Sequence, residues 1–277
     1  MPGERARVSV LDRGLLHGDG VYDTWRTYGG EPFAVPAHLR RLAEVARLMA
    51  LPAPGPARDW EERTRTLVRR NRLPDAAARL TITRGARGLD LAPHGDAPAT
   101  LLLTVRALPS DLGVRQARGI RAVLLPFPRD ADGLWGNRKF VGHPSAVLGR
   151  LLVARRRAAE GLYVTERGEV TEGTTSNLFV VERETVVTPP LAAGILPGVT
   201  RDLVLTLARR AGLRVREERL TVRRLRRAHE VFVTGSSIEV MPIVRLDGRA
   251  IGTGAPGAVT RRLQECYARR VAAAIRR

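Results

Sequence analysis

The chain has 277 residues and a formal net charge of +19, from 47 lysine and arginine residues against 28 aspartate and glutamate residues. Hydrophobic residues make up 44% and charged residues 27%, as in globular proteins with a substantial buried core. No apolar run approaches the roughly 18–20 residues that span a bilayer, and the first residues contain no apolar core like that of a secretory signal. These features predict a soluble, cytoplasmic protein without a membrane partner.

The positive charge raises the question of nucleic-acid binding. The basic residues are scattered along predicted helices, and aromatic residues make up only 4% of the chain, so stacking platforms for bases are scarce. We therefore expect small-molecule partners and no nucleic acid. The single cysteine, Cys266, excludes an internal disulfide and a cysteine-cluster metal site, and the five histidines show no metal-ligand spacing.

Lys139 is the only lysine in the sequence, so the other 46 basic residues are arginine. Arginine replaces lysine at most surface positions, but its guanidinium stays protonated and cannot act as an amine nucleophile. A lysine retained alone in an arginine-rich chain indicates a need for a primary amine, and Schiff-base chemistry is the commonest such need. The alternative is that one lysine remains by chance.

The first part of the chain mixes strand and helix patterns. Gly29 and Gly30 interrupt a run of β-branched and aromatic residues at 20–35, which predicts a hairpin. Apolar residues recur at helical spacing over 36–50, which predicts an amphipathic helix. Further elements are predicted as a helix at 57–72, strands at 78–84 and 99–108, and a loop at 84–98.

The second part begins after residues 109–113, the best linker candidate because proline, serine and glycine cluster there. The predicted elements are a strand at 120–127, a glycine-containing loop that carries Lys139, a helix at 144–160, strands at 162–166, 176–181 and 185–188, a helix at 200–211, strands at 213–219, 230–234 and 241–246, and a last helix at 261–277. We expect a small N-terminal α+β domain at 1–109, a linker at 110–118 and a large C-terminal α+β domain at 119–277.

Two segments carry groups that suit an anion. Gly198 and Thr200 precede an apolar-periodic helix, and free backbone N–H groups at a helix start favour phosphate. Ser236 and Ser237 follow a predicted strand in a hydroxyl-rich turn. An ordinary helix cap and a plain turn are the alternatives for these two segments.

Two charged residues each allow two interpretations. Arg41 lies beside the apolar stripe of the 36–50 helix, where it is either a solvated arginine or a phosphate anchor. Glu172 lies between strand candidates, where it is either a turn carboxylate or the partner of a protonated ring nitrogen.

A set of motifs occurs in one order along the chain. The motifs are DRGLLHGDGVYDTWR (12–26), HLRRL (38–42), ITRG (82–85), Lys139, TEGTTSNLFVV (171–181), GILPGVTR (194–201) and EVFVTGSS (230–237). With them the chain resembles the class IV pyridoxal-phosphate enzymes, which include branched-chain aminotransferases, D-amino acid aminotransferases and aminodeoxychorismate lyases. The resemblance covers nearly the whole chain. It implies the two-domain α+β fold of the D-amino acid aminotransferase type, a homodimer, and pyridoxal 5'-phosphate bound between the domains.

The resemblance also implies residue roles by motif position. Lys139 forms the Schiff base with the cofactor and later shuttles the proton, and Glu172 keeps the ring nitrogen protonated. Leu196 packs on the ring face, and Tyr22 occupies the substrate-side tyrosine position. The phosphate is held by Arg41, the Val199 amide, Thr200, Ser236 and Ser237.

The motifs leave the substrate open. Gly142 stands where many members have asparagine, and Pro144 stands where branched-chain aminotransferases have tyrosine. Residues 89–91 read Leu-Asp-Leu where D-amino acid aminotransferases have an Arg-x-His clamp for a carboxylate. Arg87 matches an arginine of the lyases, although Leu89 replaces their usual tyrosine. We expect transamination between an amino acid or amine donor and a 2-oxo acid acceptor, with aminodeoxychorismate lyase activity as the alternative.

Overall fold

The computed structural model describes residues 3–92, 96–128 and 136–276. Parts of two predicted loops, residues 93–95 and the segment 129–135 before Lys139, lie outside the described residues. The chain forms two compact units, one of Met1–Ala107 with Lys139–His143 and the other of Leu108–Arg138 with Pro144–Arg277. Within the described ranges, every helix is too short or too polar to cross a membrane.

The first unit is a four-stranded antiparallel sheet with helices packed on one face. Its elements are α1 (Arg13–His17), β1 (Gly20–Tyr28), β2 (Glu31–Pro32), α2 (Val35–Leu48), α3 (Ala57–Asn71), β3 (Ala76–Thr83) and β4 (Thr100–Ala107). The strand order is β2-β1-β3-β4. Gly29 and Gly30 have positive φ in the turn between β1 and β2, which confirms the predicted hairpin.

The two faces of this sheet differ in polarity because side chains alternate along each strand. Val21 and Trp25 of β1 and Leu80 of β3 point into a core that also contains Leu42 of α2 and Trp60 of α3. The other face carries the intervening residues of β1 and β3, most of which are polar, aromatic or charged and partly exposed. This second face carries Tyr22 and Arg79 of the candidate site, whereas Asp23 of β1 lies on the core face.

The second unit contains a ten-stranded mixed sheet and five α-helices among its described residues. Its elements are α4 (Leu112–Arg118), β5 (Ile120–Leu124), α5 (Pro144–Arg155), β6 (Glu160–Val164), β7 (Glu169–Gly173), β8 (Asn177–Glu182), β9 (Thr185–Thr188), α6 (Val199–Arg210), β10 (Arg214–Glu217), β11 (Leu220–Thr221), α7 (Val222–Arg227), β12 (Glu230–Gly235), β13 (Glu239–Leu246), β14 (Arg249–Ala250) and α8 (Ala258–Ile275). The segment predicted as a linker, 110–118, contains α4.

The strand order of the second sheet is β10-β9-β8-β12-β13-β5-β6-β7-β11, with β14 beside β13. An additional pairing of β7 with β8 closes the six strands from β8 to β7 into a ring. Apolar side chains from all six strands form one core, among them Ala122, Leu162, Val170, Leu178, Val233 and Met241. The hairpin of β7 and β8 therefore belongs to a closed, well-packed scaffold.

The main difference from the sequence-based elements concerns the helix predicted at 144–160. The helix α5 ends at Arg155, Arg157 has a positive φ, and β6 begins at Glu160. The residues 154–159 are good helix formers, but the pairing of β6 with β5 and β7 ends the helix early. The short elements α1, α4, α7 and β7 were not predicted, because they are too brief for a periodic pattern.

Candidate active site

In the first unit, Lys139 is held beside the start of β1. The backbone N–H of Tyr22 donates to the Lys139 carbonyl at 3.1 Å, and the N–H of Val141 donates to the Gly20 carbonyl at 2.9 Å. Phe140 forms an isolated bridge with Val21, so the segment runs along β1 like a short extra strand. The Lys139 Nζ lies 4.8 Å from the centre of the Tyr22 ring. Backbone pairing thus fixes the only lysine over the predicted substrate-side tyrosine.

A second cation lies over the same aromatic ring. The guanidinium carbon of Arg79 is 3.6 Å from the centre of the Tyr22 ring, and Arg79 Nε donates to Thr81 Oγ1 at 3.1 Å. In the register of β1 and β3, Tyr22 pairs with Thr81 and Thr24 pairs with Arg79, which places these side chains on one sheet face. Burial lowers the pKa of Arg79, and Tyr22 acts in the opposite direction. Sequence reasoning missed Arg79, because its contact with Tyr22 depends on the register of two strands.

Arg41 lies in a buried ion pair inside the first unit. Its Nε donates to Asp23 Oδ2 at 2.8 Å, its Nη2 donates to Asp23 Oδ1 at 2.7 Å, and His38 Nδ1 lies 3.0 Å from the same Oδ1. Burial raises the pKa of Asp23, but the Arg41 charge and His38 more than offset it, so that the pKa lies far below its usual range. Arg41 is therefore not a solvated helix residue, and Asp23 is a partner that sequence reasoning missed.

Arg87 makes a hydrogen bond within the loop that contains it. Its Nε donates to the Ala97 carbonyl at 2.9 Å, across the loop that joins β3 to β4. Two residues of α1 also bind this loop: Arg13 Nη2 donates to the Leu91 carbonyl at 2.6 Å, and His17 Nε2 lies 3.1 Å from the Leu89 carbonyl. The carbonyl groups of this loop are therefore held by cationic and imidazole side chains, while Leu89 and Leu91 are exposed.

In the second unit, Glu172 is a buried carboxylate near the end of β7. Its Oε2 accepts a hydrogen bond from the Leu196 backbone N–H at 3.2 Å and another from Asn177 Nδ2 at 3.3 Å. Asn177 Nδ2 also donates to the Leu196 carbonyl at 2.9 Å. The structure thus brings Glu172 and Leu196 together, and Asn177 connects them. Asn177 lies within the TEGTTSN motif, but sequence reasoning did not single it out.

A glycine and a threonine complete the surroundings of Asn177. A Cβ added to Gly198 would collide with Asn177 Oδ1, so only glycine allows this close approach. Thr234 of β12 lies directly opposite Asn177 of β8, and directly opposed residues share a sheet face. The Thr234 hydroxyl is buried and has no hydrogen-bond partner among the described residues. A buried hydroxyl without a partner is costly, which suits a position that a ligand completes.

The start of α6 supplies backbone donors. Gly198 is the N-cap residue and makes no side-chain capping bond, and Val199 and Thr200 form the first turn. Thr200 is buried, and the buried Arg201 holds the helix start by donating to Glu217 Oε2 at 2.7 Å and to the Pro189 carbonyl at 2.9 Å. The N–H groups at such a helix start bind anions.

Ser236 and Ser237 lie in the turn between β12 and β13. The turn is closed by the N–H of Ile238, which donates to the Gly235 carbonyl at 3.1 Å. Gln116 Nε2 donates to the Ile238 carbonyl at 3.1 Å and so holds the turn from α4. Both serines are half-buried. The hydrogen bonds of Ile238 and Gln116 therefore hold the predicted hydroxyl-rich turn in place.

These residues fit pyridoxal 5'-phosphate. Lys139 carries the only lysine amine for the aldehyde, and the buried carboxylate of Glu172 suits a protonated ring nitrogen. An uncapped helix start and a serine turn offer donors for a phosphate. The Thr234 hydroxyl, which has no hydrogen-bond partner among the described residues, lies on β12 opposite Asn177 of β8, and Asn177 binds Glu172. The donor set contains every type of group that this cofactor requires.

Known proteins and solved structures resemble this chain over nearly its whole length. The family model described as amino-transferase class IV matches residues 20–246. A Methanocaldococcus jannaschii protein, provisionally named a branched-chain-amino-acid aminotransferase, is 35% identical over 95% of this chain and 90% of its own length. The D-alanine aminotransferase of Bacillus licheniformis is 31% identical over 95% of this chain and 92% of its length. The T.th. branched-chain amino acid aminotransferase, solved with pyridoxamine 5'-phosphate, is 31% identical, covers 97% of this chain and 90% of its own, and superposes with a TM-score of 0.88.

The fold and the donor set define a cofactor-dependent transferase built on two α+β units, and the chain belongs to the class IV aminotransferase family. It is a pyridoxal 5'-phosphate-dependent aminotransferase that moves an amino group between an amino compound and a 2-oxo acid. The expected family, fold class, enzyme class and cofactor are thereby confirmed.

Proposed function

We propose that this aminotransferase acts on α-amino acids and 2-oxo acids, that is, on substrates with a carboxylate next to the reacting carbon. The observation that supports this proposal most directly is the pair of cations over Tyr22. Lys139 Nζ and the Arg79 guanidinium both lie within 5 Å of the centre of one ring. A substrate whose α-carbon reaches the lysine amine brings its carboxylate into the field of Arg79, and guanidinium groups bind carboxylates in pairs of parallel hydrogen bonds.

The proposal assigns each residue a task. Pyridoxal phosphate, when bound, supplies an aldehyde for the covalent link and an electron sink for the α-carbon. Lys139 supplies the amine for that link and carries the proton to and from the α-carbon, and Tyr22 supports the substrate side. Glu172 holds a proton at the ring nitrogen, and Leu196 packs on the ring. The phosphate is bound by Arg41, the Val199 amide, Thr200, Ser236 and Ser237.

The test compares amino donors with and without a carboxylate. We expect Arg79→Met to lower kcat/KM for α-amino acid donors about 100-fold, and to change the rate with the matching amine that lacks the carboxylate by less than about threefold. Arg26→Met is the matched control, because Arg26 also lies on β1's polar face, over the ring of Tyr28 at 4.4 Å. An equal loss for both donor classes would show that Arg79 does not bind the substrate carboxylate.

The lyase alternative rests on the position of Arg87, and the structure offers it no additional support. The Nε of Arg87 donates to the Ala97 carbonyl and so takes part in closing its own loop. Product analysis separates the two reactions. Pyruvate and 4-aminobenzoate formed from aminodeoxychorismate without any 2-oxo acid acceptor would establish lyase activity. We expect amino-group transfer that requires the acceptor.

The enzyme is proposed to work as a homodimer. Val147, Leu148 and Leu151 in α5 are all more than 45% exposed, and they form an apolar strip at neighbouring positions of the helix. Exposed apolar strips of this kind are typical of surfaces that a partner covers. Light scattering is expected to give the mass of two chains, and the double substitution of Val147→Asp with Leu151→Asp is expected to shift it towards one chain. A wild-type mass of one chain would contradict the proposal.

A cytoplasmic location is also proposed. With one cysteine, Cys266, the chain forms no internal disulfide and gains no stability from an oxidising compartment. Fractionation of the source cells with antibodies against the chain tests this location directly.

A further inference from the structure

A second buried carboxylate, Glu160, organises the turn that follows Glu172. Glu160 is the first residue of β6 and only 3% exposed. Its Oε1 accepts from the backbone N–H groups of Gly161 at 2.9 Å and Thr174 at 3.1 Å, and from the Thr174 hydroxyl. Its Oε2 accepts from the Ser176 hydroxyl at 2.8 Å. Three of these four donors belong to the turn that joins β7 to β8.

This turn places Glu172 and Asn177 side by side. The two residues form the pair next to the turn in the hairpin, and the N–H of Gly173 donates to the Ser176 carbonyl at 2.7 Å. A Cβ added to Gly173 would collide with Ser176 Oγ and crowd the Glu160 carboxylate. The turn is therefore packed directly onto Glu160. A shift of the turn would move the two strand residues beside it, Glu172 and Asn177.

Burial of the Glu160 carboxylate among neutral donors costs free energy. All four hydrogen-bond donors are neutral, and Arg150, whose side chain is 48% exposed, comes only within 3.8 Å of Oε1. Withdrawing a carboxylate from water costs several kcal/mol, and neutral donors return part of that cost by fixing its geometry. A charged acceptor holds three donors of one turn more firmly than a neutral acceptor does.

We propose that Glu160 is a positioning residue for the cofactor's ring nitrogen, acting through residues 174–176 on the orientation of Glu172. The proposal rests on the role proposed for Glu172. Among the described residues, the hydrogen bonds to the Glu160 carboxylate come from the turn and from Gly161, so its effect on the cofactor is indirect. Without Glu160, the hydroxyl and amide donors of the turn lose their shared acceptor, and the Glu172 carboxylate loses its fixed direction.

The experiment uses apoprotein titrated with two cofactors, pyridoxal phosphate and its analogue with a carbon in place of the ring nitrogen. The analogue forms the same covalent link and phosphate contacts, but it cannot bind a carboxylate at the ring. We expect wild-type protein to bind pyridoxal phosphate about tenfold or more tightly than the analogue. In Glu160→Ala this preference is expected to fall to less than about twofold, and in Glu160→Gln, which keeps an acceptor oxygen, to be largely retained.

Glu230→Ala is the matched control. Like Glu160, Glu230 in the same unit accepts from two backbone N–H groups, here those of Val259 and Thr260 at the start of α8, and it also accepts from the Thr260 hydroxyl. Glu230 lies at the opposite end of β12 from Ser236. Its removal is expected to lower the melting temperature and to leave the cofactor preference unchanged. Loss of the preference in Glu230→Ala as well would mean general loosening and would overturn the proposal.

The outcomes separate this proposal from the one on which it rests. If wild-type protein binds both cofactors equally, the role of Glu172 is wrong, and the proposal for Glu160 fails with it. If wild-type protein and Glu160→Ala show the same preference, only the role of Glu160 is wrong. Should Glu160→Ala fail to fold, the pair Thr174→Val and Ser176→Ala removes the two hydroxyl donors without a large cavity. An unchanged preference in that double variant would equally refute the proposal.

Discussion

Arg41 binds Asp23 through two parallel hydrogen bonds, Nε to Oδ2 at 2.8 Å and Nη2 to Oδ1 at 2.7 Å. Asp23 is completely buried, and the side chain of Arg41 is 10% exposed. His38 adds a third contact to the same carboxylate. The carboxylate fixes the plane of the guanidinium, and removing either partner leaves an uncompensated buried charge. The orientation of Arg41 is thus set inside the first unit.

The stability of this cluster is expected to depend on pH through His38. Burial lowers the pKa of His38, Asp23 acts in the opposite direction, and the charges of Arg41 and Lys139 lower it further. Because the pKa of His38 is lower in the folded chain than the unfolded value of about 6.5, the unfolded chain binds more protons between these two pKa values, and the free energy of unfolding falls there as the pH falls. The slope from this proton is at most about 1.4 kcal/mol per pH unit.

Urea unfolding between pH 5 and 7 measures this slope. His38→Gln is expected to unfold with a smaller dependence on pH than wild-type protein, whereas the exposed His17→Gln is expected to keep the wild-type dependence. The same slope in wild-type protein and His38→Gln would contradict the prediction, whatever the absolute stability of the variant.

Arg41→Ala is expected to weaken the binding of pyridoxal phosphate by about 10- to 100-fold. A charge-assisted hydrogen bond contributes about 1.5–3 kcal/mol, and a tenfold change in affinity corresponds to about 1.4 kcal/mol. Titration of apoprotein with pyridoxal, which has no phosphate, is expected to show little change. Arg40→Ala, at the exposed neighbouring position of α2, serves as the control. Equal losses for the two ligands would show that Arg41 acts only through the stability of its ion pair with Asp23.

Glu172→Gln is expected to bind the cofactor and to lose turnover about 100-fold. The amide keeps an oxygen for the Leu196 N–H, so the local structure persists, but it no longer stabilises a positive charge at the ring nitrogen. Steady-state kinetics on fully loaded enzyme measures the loss. Glu169→Gln, on the same strand, removes a carboxylate that pairs with the exposed Arg219 and is expected to keep near-normal turnover. Near-normal turnover of Glu172→Gln itself would exclude the electrostatic role.

Lys139→Arg is expected to fold normally and to form no covalent link with the cofactor. The guanidinium stays protonated and cannot condense with an aldehyde. Borohydride reduction of the wild-type holoenzyme, followed by peptide mapping, is expected to place the label at residue 139. Adding Arg138→Lys to the Lys139→Arg variant supplies an amine one residue away, and we expect no label there. A label at any position other than 139 in wild-type protein would refute the assignment.

The longer elements were predictable because each has a periodic pattern of its own. The helix predicted at 36–50 is observed as Val35–Leu48, and the strand predicted at 99–108 is observed as Thr100–Ala107. The motifs TEGTTSN and GILPGVTR indicated the family, and the structure places Glu172 of the first in hydrogen-bond contact with Leu196 of the second. The residues that position the site were harder to predict, because a lone polar residue in a strand has no periodic signature.

The sequence by itself determined the enzyme class and the cofactor, because its motifs occur in the order of a family whose members share both. The solitary Lys139 supplies the primary amine that this cofactor requires. Only the tertiary structure decided which neighbours hold these groups. Asp23 lies 18 residues before Arg41, Arg79 lies 57 residues after Tyr22, and Glu160 lies 14 residues before Thr174. Such pairs form when strand register and sheet closure bring distant segments together, and register depends on the packing of the whole unit rather than on any local pattern.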